Sequence, residues 1–245
     1  MKYEVNEKKY STLIKNIHTH FSQAEETLWD KRNKINILHH EGEILTVKSF
    51  KIPHFINKIA YTFFRNSKAY RSYHNSLRIL DFVPKPIGYV EFFRFGFLHD
   101  SYFICQKYEY DFTIREPLLD KDFPNKALLL KQFAKFTHTL HINGIAHLDY
   151  SPGNILVKEI SENQYEFKIV DVNRMKFKIY TKKESLESFS KLWAVDEDLK
   201  SIIEAYAKLI DMNKEEALSI VLQASQKHKN KKNFKKRLKG RKVVD

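Results

Sequence analysis

Apolar and polar positions alternate through the first half of the chain in short runs rich in β-branched and aromatic residues. Ile35-Asn36-Ile37-Leu38 and Ile44-Leu45-Thr46-Val47-Lys48-Ser49-Phe50 flank the polar stretch His39-His40-Glu41-Gly42-Glu43, which predicts two strands joined as a hairpin with Gly42 at the turn. Lys48 then falls in mid-strand. From the N-cap pair Asn66-Ser67, the spacing of Ala69, Tyr73, Leu77 and Leu80 predicts one helix, ended by Pro84 and Pro86. Ile87 to Phe93 and Ser101 to Gln106 predict two more strands joined around Gly96. The period then changes. Pro124 can open a helix whose Leu129, Phe133, Phe136 and Leu140 share a face, ending near Asn143-Gly144. Two short strands, Ile155 to Val157 and Phe167 to Val170, enclose a polar turn, and helical patterns return in Leu199 to Ala207 and Ala217 to Leu222. The outline is an α+β chain in two lobes: residues 1–108 form a small antiparallel sheet with one main helix, and residues 109–226 form a mostly helical lobe.

Composition adds bounds to this outline. The chain has 245 residues, 42% of them hydrophobic and 14% aromatic, enough for a sizeable core. No apolar run of about 18 residues and no apolar segment in Met1 to Tyr10 predict a membrane span or a leader, so a cytoplasmic protein is expected. The single cysteine, Cys105, lies in the apolar run from Tyr102 and reads as a small core residue. The net charge of +13 is concentrated near the C-terminus: ten basic residues between Lys227 and Lys242, with no acidic ones, leave only +3 for the rest. Residues 227–245 therefore read as a basic, flexible tail suited to an anionic membrane surface, peripheral on the inner face of the inner membrane. Nucleic acid is ranked below that surface as a partner, and no obligate protein partner is inferred.

One constellation bears chemistry. His147-Leu148-Asp149-Tyr150-Ser151-Pro152-Gly153-Asn154 fits H-x-D-x-x-x-x-N, and Asp171 stands at the exit of the strand Phe167 to Val170. Phosphoryl transfer from ATP needs an oriented hydroxyl, a held Mg²⁺ and neutralised phosphate charge. Asp149 would accept the hydrogen bond of the acceptor hydroxyl, Asn154 and Asp171 would hold Mg²⁺ and the nucleotide phosphates, and Lys48 would pair with the α and β phosphates. His147 reads as a support for the loop. Arg174 either binds a substrate phosphate or pairs with a neighbouring carboxylate. His138 and His141 share one helix, but two histidines without a third ligand are a weak zinc signal. Phe63 and Phe64 beside Arg65 read as helical core more readily than as a base-stacking surface.

On these residues the chain resembles the Kdo/WaaP family of lipopolysaccharide kinases. The resemblance is carried by Thr46 to Tyr73, Tyr110 to Leu118, Gly144 to Val157 and Phe167 to Phe177. It implies a protein-kinase-like fold and an ATP- and Mg²⁺-dependent kinase that phosphorylates a sugar hydroxyl of the lipopolysaccharide inner core, Kdo or heptose, on a lipid-linked saccharide. Aminoglycoside and choline kinases are similar in the same loop. Ser151, where protein kinases usually carry Lys, directs the reading to a glycan or small-molecule hydroxyl. Two departures stand out. No glycine precedes Gly42, so a non-glycine turn at Lys31-Arg32-Asn33 would have to cover the phosphates. No Asp or Glu occurs from Lys51 to Leu80, leaving His74 where relatives carry the glutamate that pairs with the strand lysine. A catalytically impaired, kinase-like binding protein is the alternative that these departures suggest.

Overall fold

The alternation in the first half becomes a six-stranded antiparallel sheet. Its strands are β1 (Lys2–Val5), β2 (Glu26–Asp30), β3 (Lys34–His40), β4 (Glu43–Phe50), β5 (Pro86–Arg94) and β6 (Phe97–Gln106), in the order β1-β5-β6-β4-β3-β2. The computed structural model describes residues 1–24, 26–30, 33–50, 61, 64–238 and 240. Lys31 and Arg32 of the expected phosphate-covering turn, and Phe63, lie outside them. The chain divides into two units, Met1–Glu109 with Val170–Asn173, and Tyr110–Ile169 with Arg174–Asp245.

In the first unit, two tight hairpins set the register. Glu41 and Gly42 have φ of 48° and 79°, and Phe95 and Gly96 have φ of 51° and 78°. Positive φ at both central residues is the type I′ geometry that matches strand twist. Along β4, Leu45 and Val47 are buried on one face, while Lys48 and Phe50 point to the other. Two helices absent from the sequence reading, α1 (Ser11–Lys15) and α2 (Ile17–Ser22), cover the first face. Their Leu13, Ile14 and Ile17 pack with Leu45, Val47, Ile87, Val90 and Ile104. Each such fully buried aliphatic side chain contributes about 1.5–3 kcal/mol. The second face is covered by α3 (Lys68–Leu77), whose Ala69 and Tyr73 pack with Phe50 and Tyr89. Ser67 caps it, its side chain accepting from the Tyr70 amide at 3.0 Å.

Val170–Asn173 belong with this first unit, although the sequence places them in the second half. Two contacts account for this. Asn75 on α3 donates through Nδ2 to the Val172 carbonyl at 2.7 Å, and Lys48 pairs with Asp171.

The second unit is built on α5 (Lys126–Ile142), which follows the short α4 (Arg115–Leu119). Pro124 stands outside α5 instead of opening it, because Asn125 takes a left-handed φ of 52° at the start. Leu129, Leu130, Phe133, Ala134, Thr137, Leu140 and His141 are buried along α5. After it, Gly144 takes a φ of 67°, and its amide donates to the His141 carbonyl at 3.0 Å. Strand β7 (Phe112–Thr113) pairs with β9 (Ile155–Ser161), which forms a hairpin with β10 (Gln164–Ile169). β8 (Ile145–His147) pairs with β11 (Met175–Phe177). Three helices follow: α6 (Lys182–Ser188), α7 (Asp196–Leu209) and α8 (Lys214–Arg237).

The expectation of a flexible tail from residue 227 does not hold for residues 227–237, which are the last turns of α8. Basic residues favour that end of a helix dipole. One side of the segment is also seated. Asn233 is buried, Lys229 donates through Nζ to the Ala194 carbonyl at 3.1 Å, and the His228 ring meets Trp193 edge-on at 6.0 Å.

Candidate active site

The loop between β8 and β9 is fixed by its own backbone. The Leu148 amide donates to the Arg174 carbonyl at 3.0 Å, and the Asp149 amide donates to His147 Nδ1 at 3.0 Å. An Nδ1 that accepts belongs to the neutral imidazole with its proton on Nε2, and in that form His147 supports the loop. The Asp149 carbonyl then takes two donors, the Ser151 amide at 2.7 Å and Asn154 Nδ2 at 2.9 Å, and the Asn154 amide donates to the Ser151 carbonyl at 2.9 Å. Pro152 presets the 3-10 turn Pro152–Asn154. Gly153 gives room to Arg115: a Cβ there would stand 2.5 Å from Arg115 Nη2 and 3.0 Å from Arg115 Cζ, so the guanidinium end of that side chain would have to move aside. Beneath the loop, Tyr150 is buried, its hydroxyl 2.8 Å from Thr137 Oγ1 and its ring stacked over Phe133. Burial pushes the Tyr150 phenol far above its usual range, so it is a neutral anchor at any physiological pH.

The side chains that these bonds position are Asp149 and Asn154. The Asp149 carboxylate is about half exposed, at 47%, with Arg174 Nη1 3.8 Å from its Oδ2. Of the two readings of Arg174, the structure thus gives the carboxylate pairing directly. Asn154 has its nitrogen engaged with the Asp149 carbonyl, so its amide oxygen is the atom that can turn to a cation. Lys191 is a residue the sequence reading missed. Half-buried behind Asp149 and Arg174, its ammonium is pulled below the usual lysine range by burial, with the Asp149 carboxylate opposing and the Arg174 guanidinium adding. Nothing in the run Phe189-Ser190-Lys191-Leu192 marks it, because its significance comes only from the fold.

Lys48 and Asp171 form the other part of the candidate machinery, within the first unit. Lys48 Nζ lies 2.7 Å from Asp171 Oδ1, and Asn173 Nδ2 donates to the same oxygen. Asp171 has a φ of 58°, a left-handed conformation in which Asp and Asn are several-fold enriched among non-glycine residues. The expected substitute partner, His74, faces elsewhere: its Nε2 is 3.4 Å from Glu4 Oε1, which also accepts from the Tyr89 hydroxyl at 3.0 Å. The strand lysine thus has an acidic partner, supplied by the Asp171 segment and not by α3.

The donor types suit Mg²⁺, which takes hard oxygen ligands from one or two side chains and completes its shell with phosphates and water. Asp171 offers a carboxylate and Asn154 an amide oxygen. His141, weighed above as a zinc ligand, is instead bonded at Nδ1 to the Tyr206 hydroxyl, 2.7 Å away. Among the described residues no cluster of three His, Cys, Asp or Glu side chains could hold a metal. No described helix is long and apolar enough to cross a membrane.

A strand lysine paired with a left-handed aspartate, and a loop that fixes an aspartate and an asparagine five residues apart, define a protein-kinase-like fold. The sequence model of the lipopolysaccharide kinase (Kdo/WaaP) family matches residues 122–206, a span that includes Asp149, Asn154 and Asp171. The family resemblance read from the sequence is borne out by that match, and the family is one of kinases, which are phosphotransferases. Among solved structures, WaaP in complex with acyl carrier protein is similar at a TM-score of 0.57 and 13% identity, over 94% of this chain and 99% of that one. At such identity the likeness concerns the fold. No curated protein matches the sequence.

Proposed function

We propose that the protein transfers the γ-phosphoryl group of ATP, with Mg²⁺, to a sugar hydroxyl of the lipopolysaccharide inner core, Kdo or heptose, carried on a lipid-linked saccharide. The observation that supports this best is Asp149, whose backbone is held at both its amide and its carbonyl while its carboxylate remains exposed. Such a group orients a hydroxyl without having to be ordered at the moment of reaction. The acceptor hydroxyl donates its proton to the Asp149 carboxylate as its oxygen forms a bond to the γ-phosphorus. The bond from that phosphorus to the bridging oxygen breaks, and ADP leaves. Lys48 exchanges its pairing with Asp171 for the α and β phosphates, and Arg174 and Lys191 balance negative charge beside Asp149. Asp171 and Asn154 are the residues that would each offer an oxygen to Mg²⁺, which when bound would supply neutralisation of the phosphate charge. Ser151 leaves the acceptor side without the lysine of protein kinases.

The test is phosphoryl transfer from ATP to purified core acceptors with Asp149→Asn. The expected result is a fall of about 100-fold or more with an unchanged melting temperature, and an unchanged rate would refute the assignment. The absence of any acidic residue from α3 favours a second reading, an impaired kinase-like protein that binds nucleotide. Stabilisation by Mg-ATP with no transfer to any core acceptor would select it. Because the similar WaaP structure is a complex with acyl carrier protein, co-purification with that protein is the check on the expectation of no obligate protein partner.

A further inference from the structure

The last turns of α8 present a face that the kinase reading does not use. From Lys227 to Arg237 the helix carries seven basic residues and no acidic one. At 100° per residue, Lys227, Lys231, Phe234 and Leu238 fall within an arc of about 60°. Leu238 continues the helical path, its amide donating to the Phe234 carbonyl at 3.0 Å. This arc lies roughly opposite Val221, Ser225 and Asn233, the buried side of the same helix. Phe234 and Leu238 are 61% and 71% exposed, although each is a large apolar side chain on an otherwise cationic surface. The seating of His228, Lys229 and Asn233 against its own unit keeps the helix from rolling to bury them. Lys236 Nζ, 5.4 Å from the Trp193 ring centroid, adds to that seating.

We propose that this face docks on an anionic lipid bilayer, its lysines meeting the headgroups while Phe234 and Leu238 enter the boundary with the acyl chains. Charge complementarity selects an anionic partner. The apolar pair selects a bilayer among such partners, since a phosphate backbone offers nothing in which Leu238 can be buried, whereas a lipid interface accepts just this mixture. The helix would lie in the plane of the interface, fixed to the folded unit through its opposite side. Docking requires neither nucleotide nor acceptor, so its failure would leave the kinase reading standing, and the reverse also holds.

The test is co-sedimentation of the full chain with vesicles of phosphatidylethanolamine and phosphatidylglycerol, against vesicles of phosphatidylcholine alone, at low and high NaCl. The chain is expected to bind the anionic vesicles, to release as salt rises, and to ignore the neutral ones. Phe234→Ser with Leu238→Ser should weaken binding by about tenfold or more, and Lys227→Gln with Lys231→Gln should weaken it and flatten its salt dependence. Both pairs are solvent-facing, so melting temperatures should not move. Failure to bind anionic vesicles overturns the proposal. So does full binding by the Phe234 and Leu238 variant, or equal affinity for a single-stranded RNA that is insensitive to those two substitutions.

Discussion

His141 makes the protein's stability depend on pH with a sign that its burial fixes. Its ring is buried at 8% exposure, with Nδ1 2.7 Å from the Tyr206 hydroxyl and Nε2 3.4 Å from Ser188 Oγ. Burial lowers its pKa from 6.5 to about 4, with the nearby His138 and Lys191 adding to the depression. The unfolded chain therefore takes up a proton on this histidine at a pH where the folded chain does not. Its cost to folding is absent well above pH 6.5, grows as pH falls from there towards 4, and is level below that. A difference of this size corresponds to about 2 kcal/mol at pH 5 and about 3 kcal/mol at full protonation. Urea unfolding at pH 7.5 and 5.0 measures it, with His141→Gln as the comparison because glutamine keeps polar atoms for Tyr206 and does not titrate. Carboxylates act equally on both proteins and cancel in the comparison. The wild type should lose about 2 kcal/mol more than the variant between the two pH values, and equal losses would refute the reasoning.

The other predictions concern the first unit. A Cβ at residue 88 would lie 2.5 Å from the Glu4 carbonyl oxygen and press on the end of Ile14, so Gly88→Ala should displace β1 and destabilise the protein by about 1–3 kcal/mol. An unchanged urea midpoint would show that β1 yields freely. Lys48→Met should reduce ATP-dependent transfer by about 100-fold while the protein stays folded, measured by release of ADP in the presence of acceptor. Full turnover would remove Lys48 from the nucleotide site.

Much of the sheet and the whole catalytic loop was legible in the sequence because both are written in local chemistry. The hairpins at Gly42 and Gly96 need residues that tolerate positive φ, and the Pro152-Gly153 turn sets Asp149 and Asn154 by short-range bonds. Residues 1–22 were not legible. Helices of five and six residues are too short to show a period, and what holds them is burial against strands far along the chain. The partner of Lys48 was misread for the same reason. The eye looks for a glutamate on the next helix, while the charge that reaches the lysine comes from Asp171, 123 positions away. The basic segment was misread in the opposite direction: composition suggests a solvated tail, but the four-residue spacing of Val221, Ser225, Lys229 and Asn233, with His228 against Trp193, makes it a seated helix.

The left-handed backbone of Asp171 has a consequence for which replacements this position can accept. Asparagine keeps the conformation and loses the charge that meets Lys48. Glutamate keeps the charge, but its longer side chain forfeits the local hydrogen bonding that eases Asp into this backbone region, and glycine frees the backbone while removing the carboxylate. Backbone shape and the charge that meets Lys48 thus screen for the same amino acid by separate criteria. A comparison of these three variants would show, at a single residue, which of the two demands is the stricter.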